Sequence, residues 1–575
     1  MRRIIYPKEQ MHRIRYTKLT RGEIGTKLAA AAAGPACHSR YSDVLAGKSL
    51  RIATDDGLDL HYTFDGDRKL SVSVGKDSPV RTGYGALTLD RYVFFSHMVP
   101  GTQTGYNVVI DRDSHLATVF EIWFSGYVDN REVQREIHYG YVEVAGKAPP
   151  TARHAITNRL EGKGFHWTQD NGIETLEIYP SVLYSTFVEL TRLGGELCFC
   201  AASDYVKLDE DRYIYSRVEG GFSGTFTLYV LDVNESRQAG VRLGFDANDA
   251  LEYYVFDGSG AMVGQIAAFE PFDDEGKKID LGKRQRPTHK GDRPVYRPLL
   301  TSPPMTKAEV EAACKHSTVA FHESPMAGNH LPTTSYLVGK TFTARYEGGG
   351  PVIEYRFDSP RQLRWRHAGT SRWREETYEA WEPARDVIFF GHYLTGAPRH
   401  DCLAVAIDFG NGLTTCVHGM LGTKYMANEA SRKTYFGTLE LEGLTPPQYL
   451  RHHFTDELVG RAMTWHYSPG LTSMHVYTTP YSFSWIIFLG NDAGGLEWSG
   501  PAQYVKLRDD LYLFNWLEEA CNGTLGVLVI NTRMMHDCGI GYNVSKRGLS
   551  LGAVGAEARS GGEFDLKRFY SPRWT

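Results

Sequence analysis

Glu518 closes the run Tyr512-Leu513-Phe514-Asn515-Trp516-Leu517-Glu518. Side chains of a strand alternate between its faces, so Tyr512, Phe514, Trp516 and Glu518 share one. If that face is interior, Glu518 is a carboxyl in an aromatic surround, where desolvation raises its pKa toward the range useful for acid–base catalysis. If the opposite face is interior, Glu518 is a solvated carboxylate. If an Arg or Tyr holds it inside, it is a core group without chemistry. The arrangement recurs 299 positions upstream as Tyr213-Ile214-Tyr215-Ser216-Arg217-Val218-Glu219. There Arg217 replaces the Trp and can simply pair with a carboxylate, so Glu219 is a counterpart with the same readings open. Trp167 is a further candidate substrate contact.

Two histidines occupy matching places, His97 after Phe94-Phe95-Ser96 and His392 after Phe389-Phe390-Gly391. Each is either a satisfied core residue or a general base or hydrogen-bond donor at a pocket. Glu121 and His418 stand at corresponding positions on a neighbouring run. Metal binding would need a third ligand that spacing does not place. Cys198-x-Cys200 would share one strand face, the other cysteines have no metal spacing, and no CxxC occurs. Free buried thiols in a reducing compartment are the expectation, with no metal site. No GxGxxG follows a strand, and P-loop, HExxH and GxSxG motifs are missing. Nicotinamide, flavin, ATP and zinc chemistry are therefore unsupported, and no cofactor is expected.

The elements that must position these groups are repeated. Leu45-Ala46-Gly47-Lys48 returns as Leu160-Glu161-Gly162-Lys163, Leu337-Val338-Gly339-Lys340 and Leu458-Val459-Gly460-Arg461. A higher-order duplication carries Tyr205-Val206-Lys207-Leu208 to Tyr504-Val505-Lys506-Leu507, and Pro149-Pro150 with Arg153-His154 to Pro446-Pro447 with Arg451-His452. The order is A-B-A′-B′. Within each unit, period-two runs such as Thr225–Val230 recur between Gly, Asn and Asp turns, the pattern of antiparallel sandwiches or up-and-down barrels. The expected fold is all-β: four lipocalin- or calycin-like barrels with short lead-in helices. Thr20-x-x-Glu23 and Thr306-x-x-Glu309 read as capping boxes opening those helices. The boundaries are a lead-in over 1–43, A over 44–148, B over 152–275, a linker plus helix over 276–335, A′ over 336–445 and B′ over 452–575. The basic run Lys283-Arg284-Gln285-Arg286 reads as a solvated connector.

A net charge of −5 gives no case for nucleic acid, and no run reaches the ~18 apolar residues of a membrane helix. Met1-Arg2-Arg3 lacks a following apolar region, so a secretory signal is not expected and the cytoplasm is the simplest location. Expected partners are a small aromatic or hydrophobic metabolite, with no nucleic acid and no membrane. The duplication suits a monomer in which fusion replaced a homodimer, or a homodimer.

The A-B unit resembles the MoaF family, the molybdenum cofactor biosynthesis protein F group, over essentially the whole chain as two fused copies. That resemblance implies calycin-like domains in pairs. It does not imply molybdopterin chemistry. A second similarity, to phenolic acid decarboxylase, rests on Gly460, Trp465 and Tyr467 and on Tyr512-x-x-x-Trp516-x-Glu518. It implies that Glu518 is an acid/base, that Tyr467 hydrogen-bonds the substrate and that Trp516 forms the wall, with Tyr512 and Trp465 in the site. The family's Gly-Arg-Trp stretch has its nearest match at Arg372-Trp373 in A′, where Tyr346 keeps the first-strand Tyr and His392 and Leu394 replace Trp and Glu. No single barrel carries the full set. The expected function is cofactor-independent lyase, isomerase or cyclase chemistry on a small conjugated metabolite; the alternative is a non-catalytic carrier of small hydrophobic ligands.

Overall fold

The computed structural model describes residues 19–37, 41–125, 130–191, 195, 197–219, 224–246, 248–268, 288–290, 293–295, 304–319, 321–322, 324–424, 426–489, 495–518 and 523–570. The basic run 283–286 and Cys521 lie outside them. The chain is 57% strand and 6% helix, an all-β protein. The helices Arg21–Leu28 and Lys307–Cys314 each open on a capping box, Thr20 with Glu23 and Thr306 with Glu309.

The fourfold Gly motif has one structural job. Gly47, Gly162, Gly339 and Gly460 all adopt positive φ, between 74° and 95°. Each donates its N–H over 2.8 Å to a carbonyl at the end of the next strand region: Phe64, Tyr179, Phe357 and Tyr477. Only glycine enters that conformation cheaply. The motif therefore marks the corner where each unit's first strand begins.

The ladders close two rings and leave two sheets open, where four closed barrels were expected. In B, the strands from Lys163–Gln169 to Leu251–Ile266 pair in sequence, and the last returns to the first. In B′, Arg461–Ser468 to Gly548–Phe564 close in the same way. A and A′ are nine-stranded sheets wrapped around their own apolar cores. Their end strands, Val80–Gly83 with Gly85–Leu89 and Arg374–Thr377 with Ala380–Ala384, do not pair by a ladder. The outer face of A packs on the outer face of B, with the first helix in the same core, and A′ packs on B′ likewise. The Arg-His connector clamps each pair. Arg153 bonds Asp55 and His154 meets Thr118 at 2.9 Å; Arg451 bonds Glu347 and His452 meets Thr415 at 2.8 Å.

The halves join through their rings. Gly264, Gln265 and Ile266 pair antiparallel with Phe564, Glu563 and Gly562, merging both barrels into one 20-stranded sheet. The contact is pseudo-twofold, because Gly264 faces Phe564 as Gly562 faces Ile266. This is the geometry of an isologous dimer interface, built here within one chain. Beside it, Glu497 of B′ reaches into B, accepting from Thr186 Oγ1 at 2.8 Å and Ser181 Oγ at 3.3 Å. Burial pushes this carboxyl up to about 8, against smaller opposing hydrogen bonds from Thr186, Cys200 and Ser181. Because the folded pKa exceeds the unfolded value of about 4.3, its contribution is full below that value and lost as pH rises through about 8. Glu497→Gln is expected to leave the melting temperature nearly unchanged at pH 5 and raise it by several degrees at pH 8.5, about 1–2 kcal/mol, read by thermal melts at both pH values.

Candidate functional site

The interior of B′ is where aromatic and ionisable groups converge. Arg461–Ser468 turns Trp465 and Tyr467 inward, and the paired strand Leu471–Thr479 adds His475 and Tyr477. The His475 ring lies 5.2 Å from Phe483, 6.0 Å from Trp465, 6.1 Å from Phe514, 6.3 Å from Tyr477 and 6.4 Å from Trp516. Burial alone pushes its imidazole down to about 3, so the ring is neutral. On His536–Ser545, Asp537 accepts the Ala556 N–H at 2.8 Å through one oxygen. Burial holds its carboxyl well above the usual carboxylate range, which favours a proton on the second oxygen. Burial, then the nearby Asp537, raises the phenols of Tyr467 and Tyr477.

Five polar atoms of this interior have no partner within hydrogen-bonding geometry among the described residues: Tyr467 and Tyr477 hydroxyls, His475 Nδ1, Trp465 Nε1 and one Asp537 oxygen. Ser473 and Trp465 stand beside the two phenols and favour their ionised forms without completing such a bond. Each buried group left unpaired costs about 1–3 kcal/mol, and a bound polar molecule or water supplies the missing partner. The interior is thus walled by rings and holds one carboxyl of raised pKa, one neutral imidazole and two phenols.

The wall has a built seat. Trp516 lies across Gly526 on the neighbouring strand, and a Cβ there would stand 2.2 Å from its indole. Gly526→Ala is expected to displace the indole and destabilise the protein by about 1–3 kcal/mol, read as a shift in tryptophan emission and a lower denaturation midpoint.

Of the residues singled out from sequence, Tyr467, Trp465 and Trp516 meet in this cluster. Glu518 shares their inward face but ends its strand half-buried, opposite Thr524 at the mouth. Tyr512 is turned inward, with its hydroxyl donating to Glu457 at 2.6 Å. Glu219 and Trp167 lie in B; Trp167 stacks on Phe165 at 5.2 Å. His97 and His392 lie in A and A′, buried and pushed down to about 4 by burial. Each meets a tyrosine hydroxyl, Tyr62 at 3.1 Å and Tyr355 at 3.2 Å; His392 Nδ1 also meets the Tyr393 carbonyl at 2.7 Å, whereas His97 Nδ1 is buried without a hydrogen-bond partner among the described residues. Tyr346 is in the A′ core, 3.1 Å from Thr414 Oγ1. Arg372 is exposed in the loop before Arg374–Thr377, outside any strand and apart from the B′ cluster. Its neighbour Trp373 is held by Arg356 and Arg366, 4.3 and 4.6 Å from its ring.

His475, Tyr477 and Asp537 escaped the sequence reading. Alternation across the Pro469-Gly470 turn would have found the first two, since they face Trp465 and Tyr467 on the next strand. Nothing local marks Asp537, a single acid beside a turn.

The matching interior of B is different chemistry. By register, Glu177 takes the place of His475, Arg217 that of Trp516, and Arg242 that of Gly541. Arg217 bonds Glu177, approaches Glu219 to 3.3 Å, and lies 3.7 Å over the Phe187 ring. Arg242 meets Glu219 at 2.8 Å and Glu252 at 3.0 Å. Glu219 is therefore bound up in a buried ion network, the pairing that the Arg217 substitution left open.

Residues 322–423 match the MoaF N-terminal domain and residues 452–561 the MoaF C-terminal domain. A curated relative, Protein MoaF of Klebsiella aerogenes, is 27% identical over 248 residues, covering 40% of this chain and 89% of that protein. A crystal structure of a DUF3598-family protein of unknown function from Nostoc punctiforme covers 37% of this chain and 93% of its own at 11% identity, with a TM-score of 0.22, too low to carry an argument. The two domain matches follow the order in which A′ precedes B′.

Proposed function

We propose that this MoaF-like protein holds a small, uncharged or weakly acidic conjugated molecule inside B′ and acts on it by cofactor-independent acid–base chemistry. One observation carries the reading: five buried polar atoms lack partners inside a wall of rings, and among them are a carboxyl that burial raises, Asp537, and a neutral base, His475. A planar ligand stacks on the rings while the phenols bind its oxygens. Asp537 donates a proton where negative charge develops, and His475 accepts one. Lyase or isomerase steps of that kind need no redox partner. Glu518, at the mouth, is placed to relay protons between the interior and solvent.

A second reading, a carrier without turnover, is favoured by the half-exposed position of Glu518, outside the enclosed cluster. Mass spectrometry of a panel of hydroxycinnamic, hydroxybenzoic and related conjugated acids and phenols separates the two. Loss of 44 Da, or an isomer of unchanged mass, formed by wild type and not by Asp537→Asn, supports catalysis. Retention of a panel member without conversion supports the carrier. Neither conversion nor retention overturns both.

A further inference from the structure

The A sheet brings together three groups from two neighbouring strands. Glu121 on Leu116–Phe124 stands directly opposite Glu136 on Val133–Val142, and His138 follows two residues later on the same face. One ligand atom from each lies within 4.8 Å of the others. The face is the interior one, since Tyr106, the other ladder neighbour of Glu121, belongs to the core of A.

His138 is the decisive member. It is 7% exposed, and its Nδ1 lies 2.7 Å from the Asp56 carboxylate. A carboxylate only accepts, so Nδ1 carries the proton and the neutral ring's lone pair is on Nε2. That Nε2 is buried without a hydrogen-bond partner and points to within 3.6 Å of Glu121, too long for a hydrogen bond. A carboxylate behind a histidine whose far nitrogen faces further carboxylates is how proteins orient a metal-ligating imidazole.

We propose that Glu121, Glu136 and His138 bind one divalent ion of the manganese-to-zinc row, with Asp56 orienting His138. One imidazole and two carboxylates suit these ions; calcium and magnesium favour all-oxygen sites. Three protein ligands leave a coordination position for water or a small ligand. The second half is an internal control: the same ladder positions in A′ are His418, Lys433 and Tyr435. Lys433 brings a positive charge, and His418 Nε2 is already bonded to Asp401 at 2.6 Å. The site belongs to A alone.

The test uses the full chain stripped with a chelator, then titrated calorimetrically with Zn²⁺ and with Mn²⁺ in excess Mg²⁺. One saturable equivalent is expected. It should vanish in Glu136→Lys, which installs the A′ residue at an exposed position, and in His138→Gln. Asp56→Asn should weaken it by about 10- to 100-fold. Circular dichroism on each variant confirms the fold, and the two exposed substitutions keep the test valid if His138→Gln unfolds. If His138 is instead only a protonated bridge between Asp56 and Glu121, no saturable uptake appears, and the proposal fails. Uptake that survives Glu136→Lys also overturns it, because the ion then sits elsewhere.

Discussion

Replacing Arg217 by Met is expected to destabilise the protein by about 3–5 kcal/mol, the cost of leaving buried carboxylates without their cation. Arg217 is 1% exposed and touches Glu177, itself fully buried, as well as Glu219. Burial raises the Glu177 carboxyl, and Arg217 is the largest opposing influence. Without that guanidinium, Glu177 must take up a proton to stay inside, so the loss should be larger at pH 8 than at pH 5. Denaturant unfolding at both values measures this. Adding Glu177→Gln should recover part of the loss, because the amide carries no charge to desolvate. A cost below about 1 kcal/mol would mean that water reaches the interior of B.

Asp537→Asn is expected to lower turnover of any converted panel compound by about 10²- to 10⁴-fold while changing its retention only a few-fold. The amide preserves the shape and the acceptor for the Ala556 N–H, and it removes only the transferable proton. Glu518→Gln should have the smaller effect, since its position at the mouth places it in proton exchange with solvent. Initial rates paired with equilibrium dialysis for both variants check this. Full activity in Asp537→Asn with none in Glu518→Gln would move the chemistry to the mouth of the barrel. The same proton sets a pH limit: burial raises the Asp537 carboxyl, so activity should be held below its raised pKa and be lost as pH rises through it.

Two internal comparisons show what was legible. Tyr512, Phe514, Trp516 and Glu518 do share the inward face, as alternation requires, because a one-residue slip would have buried Leu513, Asn515 and Leu517 in the interior instead. Depth along that strand was not legible. Alternation gives a face but no distance from the barrel mouth, so Glu518 was as good a candidate as a residue at the centre. His97 and His392 show the same limit: their place on an apolar strand was visible, but the tyrosines that satisfy them come from strands about 35 residues upstream.

The sequence by itself determined the duplication, the all-β class, the glycine corners and the capped helices, because these rest on local periodicity and on backbone conformations that few residues adopt. The tertiary structure alone decided which interior became a site. Arg217 neutralises Glu177, and Arg242 neutralises Glu219, only because ring closure brings side chains of non-adjacent strands together. His475, Asp537 and the two phenols keep unpaired polar atoms for the same reason: closure of B′ buries those atoms where no hydrogen-bond partner among the described residues reaches. Burial and partner geometry arise from contacts far apart in the chain, and those contacts set the charge of each group.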